Sequence, residues 1–370
     1  MLKILHTGDI HLDSPFSGLG RTRSESRRNE LRSAFTSMMT YAKMNNVDLI
    51  LVSGDVFDGE FVTRETISLL VKEFEKFEKP VFIAPGNHDC ASPNSVWKKD
   101  IFPKNVHVFS DSSLSSVDVA DADVTVYGYA FTEPNLSSCP IKNETVMSPD
   151  RINLLVAHAD MTSKDGTNCP VTPAELEYFG ADYAALGHVH NPPSPGKDNR
   201  YCYCGCLEPR AFDELGPKGA LIVEIDKAGE SSKVVIKPVR FSKRRYERGE
   251  LTLDGAETQA DVNKAVADYI AENRYGEDTI LQLRLNGYIY PSLLIDTEGM
   301  DGPDFGIYSL TVEDNTRPEI DTEALENDLS IRGEVYRQLK PALFSEDERE
   351  REVGRRALRY AFSSLAGDTI

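Results

Sequence analysis

Short apolar runs that stop at an acid, amide or imidazole side chain recur through the first half of the sequence, and this recurrence constrains the fold more than any other feature. Leu2 to Leu5 runs into Gly8-Asp9-Ile10-His11, Asp48 to Val52 into Gly54-Asp55-Val56-Phe57-Asp58, and Pro80 to Ala84 into Gly86-Asn87-His88-Asp89. Ile152 to Ala157 delivers His158, and Tyr183 to Leu186 runs into Gly187-His188-Val189-His190. Segments of helical periodicity, Glu25 to Asn45 and Thr63 to Phe77, separate the first three runs. Strands alternating with helices predict an α/β sheet with parallel strands, and in such sheets ligands bind beyond the C-terminal strand ends, where the loops converge. All the polar blocks fall at that edge.

Further short apolar segments follow with fewer helices between them: Val106 to Phe109, Val124 to Tyr127, Tyr201 to Cys204, Leu221 to Ile225 and Val234 to Val239. That strand count predicts two sheets. Thr172, Pro173 and Glu175 spell a capping box with proline at the first helical position. The 370 residues suggest two domains, at roughly 150 residues each, with a further small element. The reading is a domain over 1–243, a smaller α+β domain over 244–340 and a helical tail over 341–370. The smaller domain opens after the basic residues Lys243, Arg244, Arg245 and Arg248, with a helix at about Ala260 to Asn273, strands at Thr279 to Leu285 and Ile307 to Val312, and an exposed loop at Asp296 to Asp304. Ser345 and Glu348 predict a second capping box, opening an amphipathic helix to about Leu365.

Hydrophobic residues at 40% and charged residues at 27% are those of an ordinary globular protein. No apolar run approaches the ~20 residues of a membrane span, and no leader pattern precedes the first strand, so a cytoplasmic protein is expected. Six cysteines are too few for a disulfide scaffold. Cys202, Cys204 and Cys206 would share one face of a strand; buried thiols are the expectation, a metal site the alternative. A net charge of −19 argues against whole-surface attraction to nucleic acid or anionic membrane. The last 127 residues carry −12 of it.

Five of the seven histidines, His11, His88, His158, His188 and His190, belong to the strand-end set. Asp and His donors with one Asn and no thiolate suit borderline and hard divalent ions such as manganese, iron or zinc, and not copper(I) or an iron–sulfur cluster. Residues at i and i+2 of an extended segment point the same way, so Asp9 with His11, and His188 with His190, can approach one cluster. A carboxylate can bridge two ions roughly 3.5 to 4 Å apart, the spacing that lets both hold a phosphoryl group and an activated water. An isolated Asp-x-His is worthless as a signal, since one is expected about once in a chain of this length, but Gly-Asn-His-Asp arises by chance in roughly one such chain in several hundred. His158 alone would be an ordinary core histidine; its place at a strand end makes it a ligand candidate.

These five blocks, in this order, resemble the calcineurin-like metallophosphoesterases over about residues 1–240. Asp182 to His190, and Phe212-Asp213-Glu214-Leu215-Gly216-Pro217-Lys218-Gly219, are similar to bacterial SbcD-type DNA repair nucleases and their YhaO-like relatives. The resemblance implies a two-sheet α/β/β/α sandwich with a smaller α+β capping domain and a C-terminal helix. It implies that Asp9, His11 and His190 hold one divalent ion, that Asn87, His158 and His188 hold the other, and that Asp55 bridges. Hydroxide bridging the metals would attack phosphorus in line, His88 would stabilise the transition state or protonate the leaving oxygen, and Asp58 would orient His88. Relatives tend to carry Ser or Thr where Cys206 stands, and archaeal and eukaryotic ones a histidine where Asp58 stands.

A DNA exonuclease or endonuclease subunit is therefore the leading function. A nucleotide or other small phosphodiester or phosphomonoester is the alternative substrate, and a catalytically silent scaffold for an SMC-like ATPase the alternative of another class. Candidate contacts to DNA are Arg21, Arg23, Arg27, Arg28 and Arg32, directly after the first ligand loop, with a solvated helix face as the plain reading. Trp97 is a candidate for stacking on a base, with packing as its plain reading. The resemblance makes an SMC-like ATPase a candidate partner for the terminal helix; packing on its own domain and a homodimer contact are the other readings. No membrane partner is expected.

Overall fold

The computed structural model describes residues 1–17, 21–59, 61–119, 122–163 and 166–366. Two compact units divide the chain, residues 1–245 and 246–370.

The first unit begins with β1 (Leu2–Thr7), α1 (Arg21–Met44), β2 (Leu49–Val52), α2 (Arg64–Phe77), β3 (Val81–Ile83) and β4 (Val106–Val108). β5 (Ser115–Val119), β6 (Val124–Gly128), β7 (Ile152–His158), α3 (Pro173–Phe179), β8 (Tyr183–Gly187) and β9 (Tyr201–Tyr203) follow, and the hairpin β10 (Gly219–Ala228) and β11 (Ser231–Arg240) closes the unit. Two sheets result, ordered β11-β10-β1-β2-β3-β4 and β5-β6-β7-β8-β9. β1 to β4 are parallel, as are β6 to β9. β10 adds antiparallel to β1, and β5 antiparallel to β6.

The period-two alternation of each strand builds the layers. Ile4, Leu49, Leu51, Leu154 and Val156 point into a core between the sheets, where Tyr183, Cys202 and Val223 meet them. Their sequence neighbours Leu5, Ile50 and Val52 point the other way, onto Leu31, Phe35 and Met38 of α1 and Leu70 and Phe74 of α2. Leu155 and Ala157 likewise face Leu176 and Phe179 of α3. Strands apolar on both faces thus become the two inner layers of an α/β/β/α sandwich, as expected. Both sheets direct the C-terminal ends of β1, β2, β3, β7 and β8 into the loops that carry the polar blocks.

Thr63 caps α2 through its side chain, and Thr172 with Glu175 forms the capping box of α3. All six cysteines are buried and free. β9 ends at Tyr203, so of the three grouped cysteines Cys202 alone lies in the strand, and Cys204 and Cys206 follow it.

In the second unit β12 (Arg245–Thr252), β13 (Thr279–Asn286) and β15 (Ser309–Asp314) form one sheet, and β14 (Tyr288–Ile289) and β16 (Arg317–Pro318) a short second one. α4 (Gln259–Glu272) packs Val262, Val266 and Ile270 on Leu281, Leu283 and Leu285. α5 (Thr322–Asn327), α6 (Ile331–Leu343) and α7 (Glu348–Ala366) complete the chain, with Tyr336, Leu358 and Phe362 at the contact of α6 and α7. The start of α7 corrects the expected capping box. Asp347 accepts from the N–H groups of Arg349 and Glu350, while Ser345 bonds instead to Glu350 and to the Asp347 N–H. None of the helices among the described residues is long and apolar enough to cross a membrane.

Candidate metal centre

Loop connections bring the polar blocks together before any side chain is considered. The Asp9 and His11 N–H groups donate to the Gly54 and Asp55 carbonyls at 2.9 Å each, so the loops after β1 and β2 run zipped side by side. Asp89 ties in the loop after β3: its carboxylate accepts from the N–H groups of Val56, Phe57 and Gly86. Burial and the neighbouring Asp55 nonetheless push Asp89 up to about 7. The loop after β8 is held by the His188 N–H, which lies 3.0 Å from both oxygens of Asp9.

Asp9, His11, Asp55 and His188 all adopt positive φ, between 46 and 107°. Non-glycine residues rarely sit there, and such strain concentrates where function requires it. Glycines leave room for the ligand side chains. A Cβ on Gly86 would stand 2.2 Å from Asp55 Oδ1; one on Gly54, itself at φ +93°, would stand 2.5 Å from His158 Nδ1.

Three groups of converging donor atoms result among the described residues: one cluster of Asp9, His11 and His190, a second of Asp9, Asp55 and His158, and beside them His11 with Asp58 and His88. In the first, Nε2 of His11 and Nε2 of His190 face each other at 3.2 Å. Both Nδ1 atoms are turned to carboxylates, Asp58 at 3.0 Å from His11 and Glu214 at 2.7 Å from His190. His190 Nδ1 is hydrogen-bonded to Glu214, whereas His11 Nδ1 approaches Asp58 without forming a hydrogen bond, and the two Nε2 atoms converge on one point, where a cation can be held between them. In the second cluster His158 Nδ1 donates to the Ser53 carbonyl at 2.9 Å, while its Nε2 faces Asn87 Oδ1 at 2.9 Å and Asp55 Oδ2 at 3.3 Å. Here again donor atoms converge. This donor set fits two divalent ions, with Asp55 between the clusters, 3.9 Å from His11 Nε2.

Burial works to raise Asp55, but the rings of His158, His11 and His88 hold its carboxyl below the ordinary range. Burial likewise works to raise Glu214, and the contacts with His190 and Arg210 hold it down at about 2. Both carboxylates are thus poised as anions.

The His188 side chain joins neither cluster; its ring packs edge-on against His158 at 5.2 Å, with Nε2 3.9 Å from Asp160. His88 is exposed, its ring 4.9 Å from that of His11, on the open side of the clusters. Asp58 groups with His11 and His88, and its closest contacts are His11 Nδ1 at 3.0 Å and Arg210 at 2.7 Å.

Two of the candidate DNA contacts lie elsewhere. Arg27 is fully buried, donating to Glu30, Glu208 and the Pro209 carbonyl, and faces no solvent. Trp97 is buried against Phe57 and Phe102, its indole N–H donating to the Asp89 carbonyl, and offers no stacking face. Arg21 and Arg23 are exposed, Arg28 is half-buried, and Arg32 pairs with Asp13. Arg210 and Glu214 were missed as site residues: they lie in a loop outside the strand-end pattern, and their only signal was the block around Phe212.

The profile of the family described as calcineurin-like phosphoesterase matches residues 2–192. Among curated relatives, the metallophosphoesterase YhaO of Bacillus subtilis is 29% identical over 60% of this chain and 57% of its own length. The DNA double-strand break repair protein Mre11 of Aeropyrum pernix is 25% identical over 76% of this chain and 71% of its own. The SbcD component of the nuclease SbcCD from Staphylococcus saprophyticus is 23% identical over 65% of this chain and 70% of its own. The chain thus spans little more than half of YhaO and about 70% of the other two.

Proposed function

The chain belongs to the calcineurin-like phosphoesterases, and from that membership we propose that it is a two-metal phosphodiesterase acting on DNA as a repair nuclease. The observation that carries the reading is the convergence of His11 Nε2 with His190 Nε2, and of His158 Nε2 with Asn87 Oδ1, on either side of Asp55. Asp9, His11 and His190 would hold one ion, Asn87 and His158 the other with His188 beside them, and Asp55 would touch both. When bound, the ions supply charge to polarise a phosphoryl oxygen and to acidify a water, with manganese the expected metal.

The remaining chemistry falls to the chain. His88 stands exposed at the mouth, within reach of a phosphate on the clusters, and would deliver a proton to the leaving oxygen or offset the charge gathering there. Asp58, 3.0 Å from His11 Nδ1, would orient His88 or the His11 ring. DNA as substrate is supported by the names of the Mre11 and SbcCD relatives and by the exposed Arg21 and Arg23. At net charge −19 the binding surface must be local, or a partner such as an ATPase subunit must supply it. A small phosphodiester is the second reading, favoured by the burial of Arg27 and Trp97.

The test is hydrolysis of linear DNA and of an aryl phosphodiester by the purified chain with manganese, beside Asp55→Asn and His88→Ala. Both variants should lose at least a hundredfold in rate. DNA cleavage that depends on both residues supports the nuclease; cleavage of the aryl ester alone supports the small substrate or a DNA surface on a partner. Hydrolysis unaltered by Asp55→Asn would overturn the two-metal mechanism.

A further inference from the structure

The two clusters are not supported alike. His158 is oriented by a neutral backbone carbonyl, Ser53 O. His11 and His190 are instead closed into a ring of charged groups: His11 to Asp58 at 3.0 Å, Asp58 to Arg210 Nη1 at 2.7 Å, Arg210 Nη2 to Glu214 at 2.9 Å, and Glu214 to His190 at 2.7 Å. The Arg210 backbone N–H adds a 2.6 Å bond to the other Glu214 oxygen, and Arg210 Nη2 lies 3.3 Å from His190 Nδ1. Glu214 is buried. One guanidinium fork therefore spans the two carboxylates that face the Nδ1 atoms of two ligand histidines, a planar geometry that lysine cannot reproduce.

We propose that Arg210 and Glu214 are positioning residues for one metal position only: they hold His11 and His190 with both Nε2 atoms converging on it, and so set its occupancy independently of the position at His158. The proposal rests on the two-metal reading. A carboxylate behind a ligand imidazole fixes its tautomer and raises its basicity, and loss of such a partner typically costs about 10- to 100-fold in metal affinity. Because, among the described residues, the ring meets the ligand histidines of one cluster, that loss should be one-sided.

Metal-stripped full-length protein titrated with manganese(II), followed by calorimetry and by electron paramagnetic resonance, tests this. The wild type should take two ions and show the signal of a spin-coupled pair. In Arg210→Met and Glu214→Ala, one affinity should fall at least tenfold and the other stay within threefold, with isolated-ion lines replacing the coupled signal at one equivalent. Glu214→Gln keeps an oxygen to accept from His190 Nδ1 and should restore much of the affinity; Arg210→Lys should not. At saturating manganese kcat should return to within threefold of wild type while the manganese needed for half-activity rises tenfold or more. Circular dichroism and the metal-free melting temperature identify any variant that fails to fold, and Arg210→Lys then stands in for it. Equal weakening of both positions, or of neither, overturns the proposal. A wild type that binds fewer than two ions overturns the two-metal reading instead.

Discussion

His6 lies fully buried beneath the ligand loops, with Nδ1 2.8 Å from the Tyr183 hydroxyl and Nε2 3.1 Å from Ser53 Oγ. It binds no ion in the arrangement described, yet it fills the seam between the sheets where β1 turns into the first ligand loop. Burial lowers its pKa to about 3 from 6.5. An imidazole that stays neutral when folded but charges when unfolded makes the unfolded state the better proton binder, so stability rises with pH. The contribution is complete above pH 6.5 and is lost progressively as pH falls toward 3. Between pH 7.5 and 5 the loss should be about 2 kcal/mol. Urea unfolding of the metal-free protein at those two pH values measures it, and His6→Gln should show a correspondingly smaller difference; an equal difference in both would refute this assignment.

At the scale of elements, the loop between β9 and β10 is anchored twice, at Glu214 by the ring around Arg210 and at Glu208 by a buried knot of charge. Glu208 accepts from Arg27 and from the N–H groups of Lys243 and Arg244, and Arg244 reaches on to Glu30 of α1. Removing one member of a buried ion network strands its partners, at about 3 to 5 kcal/mol. Arg27→Met should thus lower the melting temperature by roughly 10 °C while leaving DNA affinity within twofold, as measured by scanning calorimetry and fluorescence anisotropy; a DNA defect without a stability defect would restore Arg27 to the substrate surface. This residue shows where sequence reasoning fails. The strand-end blocks were legible because the chemistry needs unusual residues at the ends of periodic apolar runs, and a run can be read locally. Whether an arginine on a polar helix face meets water or a buried carboxylate depends on Glu208, 181 positions away, and no local pattern carries that. β5 was missed for a related reason: it is largely exposed and has no apolar run, and only its pairing with β6 makes it a strand.

Across the whole molecule, each unit owns its apolar cores: three clusters lie within residues 1–245 and two within 246–370. Every candidate ligand belongs to the first unit. A fragment of residues 1–245 should accordingly fold and bind manganese with affinities within threefold of the full chain, measured by calorimetry; a fragment that fails to fold would show that the units depend on each other. The pairing of β1 has a further consequence in time. β1 lies in the middle of its sheet, between β2 and β10, and Asp9 is separated from His190 by 181 residues. A ribosome adding ~5 to 20 residues per second releases Asp9 on the order of 10 to 40 s before the histidine that completes its cluster. Throughout that interval the nascent chain carries an incomplete set of candidate ligands and a central strand paired on one edge only, because β10 is made later still, so this cluster cannot take up an ion until most of the first unit has been made.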